Sequence, residues 1–127
     1  MTSSPKKLLT VIEFIEHARF PAIYKELGFD VSAEWQVRKA VSLIRKIKPD
    51  VIVADFYFQS DFRDRLSNLE SLLAAVQLEK DVKVLVFYEA ANEEALNRVK
   101  ERMRIDAALT TPVNEAALRA LLAEWAK

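Results

Sequence analysis

The sequence lacks cysteine altogether, and it contains glycine and histidine only once each. Without cysteine, the chain can form neither a disulfide framework nor a thiolate metal site. Its single histidine, His17, likewise excludes metal sites that need several imidazole ligands. Its single glycine, Gly28, excludes the loops that cradle phosphates in nucleotide-binding proteins, because those loops need several glycines at fixed spacing.

The sequence also lacks an excess of charge of either sign, and it lacks long apolar runs. The chain has 127 residues, with 19 basic and 19 acidic side chains, so its formal net charge is zero. This balance provides no electrostatic reason to expect a nucleic-acid or membrane partner. No apolar run approaches the roughly 20 residues of a membrane span, and the amino terminus has no signal-peptide core. We therefore expect a cytoplasmic protein that binds neither nucleic acid nor membrane.

Short apolar runs alternate with longer segments of helical period. The expected strands are residues 8–12, 29–31, 51–54, 82–87 and 107–109. A helical pattern follows each strand, which is typical of right-handed βαβ units. We therefore predict an α/β fold with a doubly wound, five-stranded parallel sheet in the order 2-1-3-4-5, a flavodoxin-like three-layer sandwich. No linker or repeat divides the chain, so we expect residues 1–127 to form a single domain.

Proline and capping residues mark the expected ends of helices. Pro21 lies inside the first helical pattern, where it should cause a kink or a helix restart. Ser32, Asn92 and Asn114 are candidate N-caps, and Ser67 opens a capping box. These residues define the expected boundaries of the last four helices.

Sites in such sheets lie beyond the carboxyl ends of the strands. Four residues that can carry chemistry fall on that rim: Glu13, Asp55, Tyr88 and Thr111. Asp55 is the clearest of them, because it ends a fully apolar strand on a carboxylate.

Two long stretches carry a resemblance to a known family. In the first, "ELGFDVSAEWQVRKAVSLIRKIKPDVIVAD", a helix ends in LG and KPD precedes the third strand. The second, "VKVLVFYEAANEEALNRVKERMRIDAALTTPVNEAALRALL", runs from the fourth strand through a fifth strand that closes on a proline. In this order they resemble the receiver domain of two-component response regulators, including chemotaxis proteins, over essentially the whole chain.

The resemblance places Asp55 at the phospho-acceptor position of a receiver. Where the family has a pair of acids that holds Mg²⁺, this chain offers at most Glu13, a weak metal site even together with Asp55. The family's hydroxyl falls on Phe87 or Tyr88, and its lysine is replaced by Thr111. The resemblance therefore implies an acceptor that has lost its cation and its metal, on which phosphoryl transfer depends.

Other rim features leave alternatives open. Asp55 is either a vestigial phosphosite or a solvated strand end that caps local amides. We assign no functional role to His17, and we expect Trp35 to pack at the start of the second helix. The resemblance implies a cis bond between Thr111 and Pro112, which is otherwise uncommon.

The loop after Asp55 is longer than the usual receiver turn. It reads "FYFQSDFRDRLS", and it carries the candidate interaction residues Phe56, Tyr57, Phe58, Phe62 and Arg63. Either the loop covers the acidic rim, or it presents an aromatic patch to a partner.

Two functions are compatible with these residues. The first is an atypical receiver-like signalling domain that acts through a protein partner or a homodimer, without phosphorylation, enzymatic activity or a cofactor. The alternative is a single-domain response regulator that a histidine kinase phosphorylates on Asp55, for which Mg²⁺ would be required. A flavodoxin-like enzyme or nucleotide binder is disfavoured, because no loop rich in glycine, serine or threonine follows the first strand.

Overall fold

Five parallel strands form the centre of the molecule. The computed structural model describes residues 5–12, 15–55, 68–77 and 81–127. The strands in these ranges are β1 (Lys7–Val11), β2 (Asp30–Glu34), β3 (Val51–Asp55), β4 (Lys83–Tyr88) and β5 (Ala107–Thr110). They pair in the order β2-β1-β3-β4-β5, and every pairing is parallel. The predicted strand order and sheet type are confirmed.

Helices cover both faces of this sheet. Within the described ranges they are α1 (Phe20–Glu26), α2 (Val37–Ile47), α3 (Asn68–Val76), α4 (Glu93–Arg102) and α5 (Glu115–Ala126). Two short 3₁₀ segments, Ile15–Arg19 and Ala90–Asn92, precede α1 and α4. None of the described helices has the length and the apolar character that a membrane crossing needs.

Two hydrophobic clusters hold the three layers together. Ile52 and Ala54 of β3 pack into the cluster beneath α2, α3 and α4, whereas Val51 and Val53 pack into the cluster beneath α1 and α5. All five residues of β3 are buried, as expected for a central strand of a parallel sheet. Each fully buried aliphatic side chain contributes roughly 1.5–3 kcal/mol, so β3 anchors both clusters.

Backbone conformation explains where α1 begins and where α1 and α2 end. The helical pattern around Pro21 is divided into a 3₁₀ segment and α1, with Pro21 in the first turn of α1, where its missing N–H costs nothing. The predicted helix restart is thus confirmed. Gly28 follows α1 with φ +95°, and Lys48 ends α2 in a left-handed conformation with φ 49°.

The predicted cap at Ser32 is wrong, because Ser32 lies inside β2. Pairing with β1 continues as far as Glu34, beyond the point where the local sequence suggested that the strand ends. The Glu34 carboxylate then accepts hydrogen bonds from the amides of Trp35 (2.8 Å) and Gln36 (3.0 Å) before α2 begins. Trp35, which was expected to pack at the start of α2, is half exposed (50%).

The remaining caps gave mixed results. The Asn114 side chain accepts a hydrogen bond of 3.1 Å from the Ala117 amide, which confirms the predicted cap of α5. Asn92 occupies the N-cap position of α4, but its side chain makes no capping hydrogen bond. Ser67 lies outside the described residues, so its capping box stays a prediction.

Candidate functional site

Asp55 is the last residue of β3, and its side chain faces the layer formed by α1 and α5. Alternation along the strand places it on the same face as Val51 and Val53. Asp55 is only 5% exposed. The interpretation of this residue as a solvated strand end is therefore wrong, and its carboxylate needs a partner, because an unpaired buried charge is costly.

That partner is His17. Nδ1 of His17 lies 2.5 Å from Oδ1 of Asp55, and the two side chains are 5% and 2% exposed. The contact is a hydrogen bond, because two lone pairs at this distance would repel each other. The sequence did not predict this contact, in which the only histidine of the chain binds the Asp55 carboxylate.

Aromatic rings enclose the imidazole. The Phe20 ring stacks on His17 with 5.4 Å between centroids, and Phe87 meets it edge-on at 4.9 Å. The Phe20 and Phe87 rings also contact each other at 5.6 Å. Water is thereby kept from much of the pair, which strengthens the attraction between imidazole and carboxylate.

Phe87 and Tyr88 point to opposite faces of the sheet. Phe87 pairs in register with Asp55 and belongs to the cluster under α1 and α5. Tyr88 packs against the cluster under α2, α3 and α4. Of the two candidates for the family's hydroxyl position, the one beside Asp55 therefore carries a phenyl ring.

Thr111 lies on the same rim, in the turn after β5. Its amide donates a hydrogen bond of 2.8 Å to the Tyr88 carbonyl, which ties the turn to the end of β4. The bond between Thr111 and Pro112 is cis, as the resemblance implied. Thr111 also lines a cavity together with His17 and Arg19.

Two further polar side chains are buried near the pair. Thr10 is 3% exposed, and Tyr24 of α1 is fully buried. The Tyr24 hydroxyl forms no hydrogen bond with any described residue. Burial, and secondly the charge of Asp55, raise the pKa of Tyr24 far above its usual value, while the nearby Thr10 hydroxyl acts in the opposite direction. Tyr24 therefore stays neutral in the folded protein.

Comparisons with known proteins identify the fold of this chain. No protein-family model matches the sequence, and no curated protein matches it either. A CheY-like response regulator receiver domain from Methylobacillus flagellatus is 19% identical with a TM-score of 0.71, covering 96% of this chain and 99% of that chain. A response regulator protein from Burkholderia multivorans is 17% identical with a TM-score of 0.73, covering 97% and 96%. This chain has the receiver-domain fold.

A third similar structure contains a metal ion. It is the receiver domain of a sensor histidine kinase from Pseudomonas aeruginosa, 17% identical with a TM-score of 0.73, covering 95% of this chain and 97% of that chain. A magnesium ion is coordinated in the active-site cleft of that protein. At these identities the likeness concerns the receiver fold, so the chemistry of the present site depends on its own residues.

The described residues of this receiver fold do not fit Mg²⁺. Magnesium requires near-octahedral oxygen ligation, usually from carboxylates and water. Here an imidazole nitrogen engages Oδ1 of Asp55, and the in-register neighbour, Phe87, is a hydrocarbon. Among the described residues, no group of three histidine or acidic side chains could hold a metal ion.

Several predicted site residues lie outside the described ranges. They are Glu13 and the candidate interaction residues Phe56, Tyr57, Phe58, Phe62 and Arg63. Their roles stay predictions.

Sequence reasoning missed the contact of His17 with Asp55 and did not decide between Phe87 and Tyr88. One signal was available for His17, because it follows the carboxyl end of the first strand by only a few residues and is the sole histidine. For Phe87, strand alternation relative to the apolar core would have distinguished it from Tyr88.

Proposed function

We propose that this chain is an atypical receiver-like signalling domain that works through contact with a protein partner or a second copy, without phosphorylation on Asp55. The contact of 2.5 Å between His17 and Asp55 carries the proposal. The receiver fold supports the signalling part, and the chemistry at Asp55 supports the part about phosphorylation.

Aspartyl phosphorylation needs a carboxylate oxygen that can attack the phosphorus atom and cations that neutralise the phosphoryl oxygens. The Oδ1 atom of Asp55 is instead engaged by His17. Phe87 supplies no hydroxyl beside the carboxylate, and Thr111 supplies no ammonium group. The buried imidazole, which packs against Phe20 and Phe87, occupies one of the two carboxylate oxygens, and this supports the absence of transfer.

Contact with a partner is assigned to residues 56–66. This segment contains four aromatic residues that are close in sequence to an arginine, and protein interfaces are enriched in aromatic residues and arginine. Each buried aromatic side chain covers on the order of 150–250 Å², so a few of them suffice for a specific contact. The proposal includes a cytoplasmic location, no enzymatic activity and no cofactor.

The test is phosphoryl transfer from a small donor. The intact protein is incubated with acetyl phosphate and Mg²⁺, and its mass is measured, with Asp55→Asn as the control. We expect no phosphoryl group on either protein. A phosphoryl group on the unmodified chain that is missing from D55N would favour the alternative, a single-domain response regulator that a histidine kinase phosphorylates on Asp55.

A further inference from the structure

A cavity of about 230 Å³ has His17 in its wall, next to the contact of His17 with Asp55. Its walls come from two parts of the chain that are distant in sequence: the 3₁₀ segment with the first residue of α1, and the turn after β5. The lining residues are His17, Arg19, Phe20, Thr111, Pro112 and Val113. The proposed function does not use this cavity.

The lining separates into a polar and an apolar part. Arg19, Thr111 and His17 carry groups that can donate hydrogen bonds, whereas Phe20, Pro112 and Val113 are apolar. Small-molecule sites combine a few convergent polar groups with apolar walls in this way. We propose that the cavity binds a small organic carboxylate, with its charged end at Arg19 and Thr111 and its apolar end against Phe20 and Val113.

Arg19 can take a carboxylate at little cost. It forms an ion pair of 3.6 Å with Glu115, and the two side chains are 65% and 46% exposed. Exposed ion pairs of this kind contribute about 0–1 kcal/mol, so another carboxylate can replace Glu115. The guanidinium also lies 5.1 Å from the centre of the Phe20 ring, which keeps it beside the apolar wall of the cavity.

His17 makes one wall of the cavity rigid. Asp55 holds the imidazole through Nδ1, and Phe20 and Phe87 fix the plane of the ring. A wall that is held before binding lowers the entropy lost when a ligand binds. The cavity is smaller than the roughly 300–1,000 Å³ of sites for drug-sized ligands, so we expect a ligand of a few heavy atoms or one ring.

The experiment titrates the full chain with benzoate, propionate and inorganic phosphate, followed by amide NMR shifts and calorimetry. Saturable shifts at Thr111 and Val113 are expected with both carboxylates. Benzoate should bind more tightly than propionate, because its ring covers more of the apolar wall. Phosphate tests whether any oxyanion suffices, and we expect it to bind more weakly than benzoate.

Substitutions at two partly exposed residues should change the affinity for benzoate in opposite directions. Arg19→Gln should weaken benzoate binding about tenfold, because a charge-assisted hydrogen bond is lost. Glu115→Gln should strengthen it, because the competing carboxylate is removed. The control is Arg38→Gln, an exposed arginine on α2 across the sheet, which should leave the affinity unchanged.

Several results would overturn the carboxylate site. The first is the absence of saturable binding up to about 50 mM benzoate, a concentration far above the Kd of even a millimolar ligand. The second is an equal loss of benzoate affinity in R19Q and R38Q. The third is tighter binding of phosphate than of benzoate. Each of them is independent of whether Asp55 accepts a phosphoryl group, so this proposal and the proposed function can fail separately.

Discussion

Asp55 and Phe87 lie directly opposite each other in the pairing of β3 with β4. Both side chains face α1 and α5, and the Phe87 ring also contacts the imidazole that binds Asp55. Of the two rings beside Asp55, the phenyl ring of Phe87 cannot form a hydrogen bond with the carboxylate. The imidazole of His17 can, and it lies 2.5 Å from Oδ1. The energetic dependence of Asp55 on His17 can be measured.

Replacing His17 by alanine should destabilise the fold by about 1–3 kcal/mol, because the buried Asp55 side chain loses a hydrogen-bond partner. Urea unfolding followed by circular dichroism measures the change. The double variant His17→Leu with Asp55→Leu should regain most of this stability, since an apolar pair needs no charge compensation. His17→Leu and Asp55→Leu are also measured singly, and if their effects simply add in the double variant, the pair is not coupled in the way proposed here.

A second prediction tests whether His17 prevents phosphorylation of Asp55, as the proposed function requires. The variant with Phe87→Thr and Thr111→Lys restores a hydroxyl and an ammonium group at the positions where the resemblance implies them. It should still accept no phosphoryl group from acetyl phosphate with Mg²⁺, because His17 still engages Asp55.

Adding His17→Ser to that variant should permit at least partial labelling of Asp55, detected by intact mass. Circular dichroism must show that both variants are folded. Equal labelling with and without His17 would mean that the imidazole does not protect the carboxylate.

The Tyr24 hydroxyl gives a prediction with a defined pH dependence. It is buried without a hydrogen bond to a described residue, so Tyr24→Phe should be neutral or should stabilise the protein by about 1 kcal/mol. Its folded pKa lies above the unfolded value of about 10, so the unfolded state loses its proton first as pH rises. Ionisation of Tyr24 therefore leaves the free energy of unfolding unchanged below pH about 10 and lowers it above that pH.

This loss is measured by comparing urea unfolding at about pH 8 and pH 10.5, on either side of the tyrosine pKa. Tyr24→Phe should remove part of the alkaline destabilisation. Tyr88→Phe, a change at a half-buried tyrosine on the opposite face, is the matched control. An equal alkaline loss in the unmodified protein and in Y24F would show that Tyr24 does not determine it.

The last prediction compares the loop with the acceptor. Replacing Phe58 and Phe62 by serine should weaken self-association or partner binding more than Asp55→Asn, because the proposal assigns the contact to residues 56–66. Analytical ultracentrifugation and pull-down at matched folding measure both variants. If D55N abolishes binding and the loop variant leaves it intact, the conventional receiver interpretation replaces ours.

Regular features of the fold were readable from local sequence. The apolar run before Asp55 predicted a central strand, and all five residues of β3 are buried. Pro21 predicted the helix restart, and Asn114 predicted the cap of α5. Each of these depends on residues within a few positions of one another, so the pattern contains the required information.

Strand ends and exposure were predicted less well. Ser32 resembles a helix cap in its local sequence, yet pairing with β1 keeps it within β2. Trp35 is a large apolar side chain that normally packs inside, yet it is half exposed beside the Glu34 cap. Both outcomes depend on which distant segment lies alongside, and local propensity carries no information about that.

The sequence by itself determined the parallel sheet, its strand order and the place of Asp55 at the end of a buried strand. Only the tertiary structure decided what meets that carboxylate. His17 and Asp55 are 38 residues apart, and they come into contact because β1 and β3 are neighbours in the sheet and the 3₁₀ segment after β1 folds over their carboxyl ends. Hydrophobic periodicity carries no information about this contact. A buried carboxylate needs a partner, but which residue becomes that partner depends on the tertiary structure.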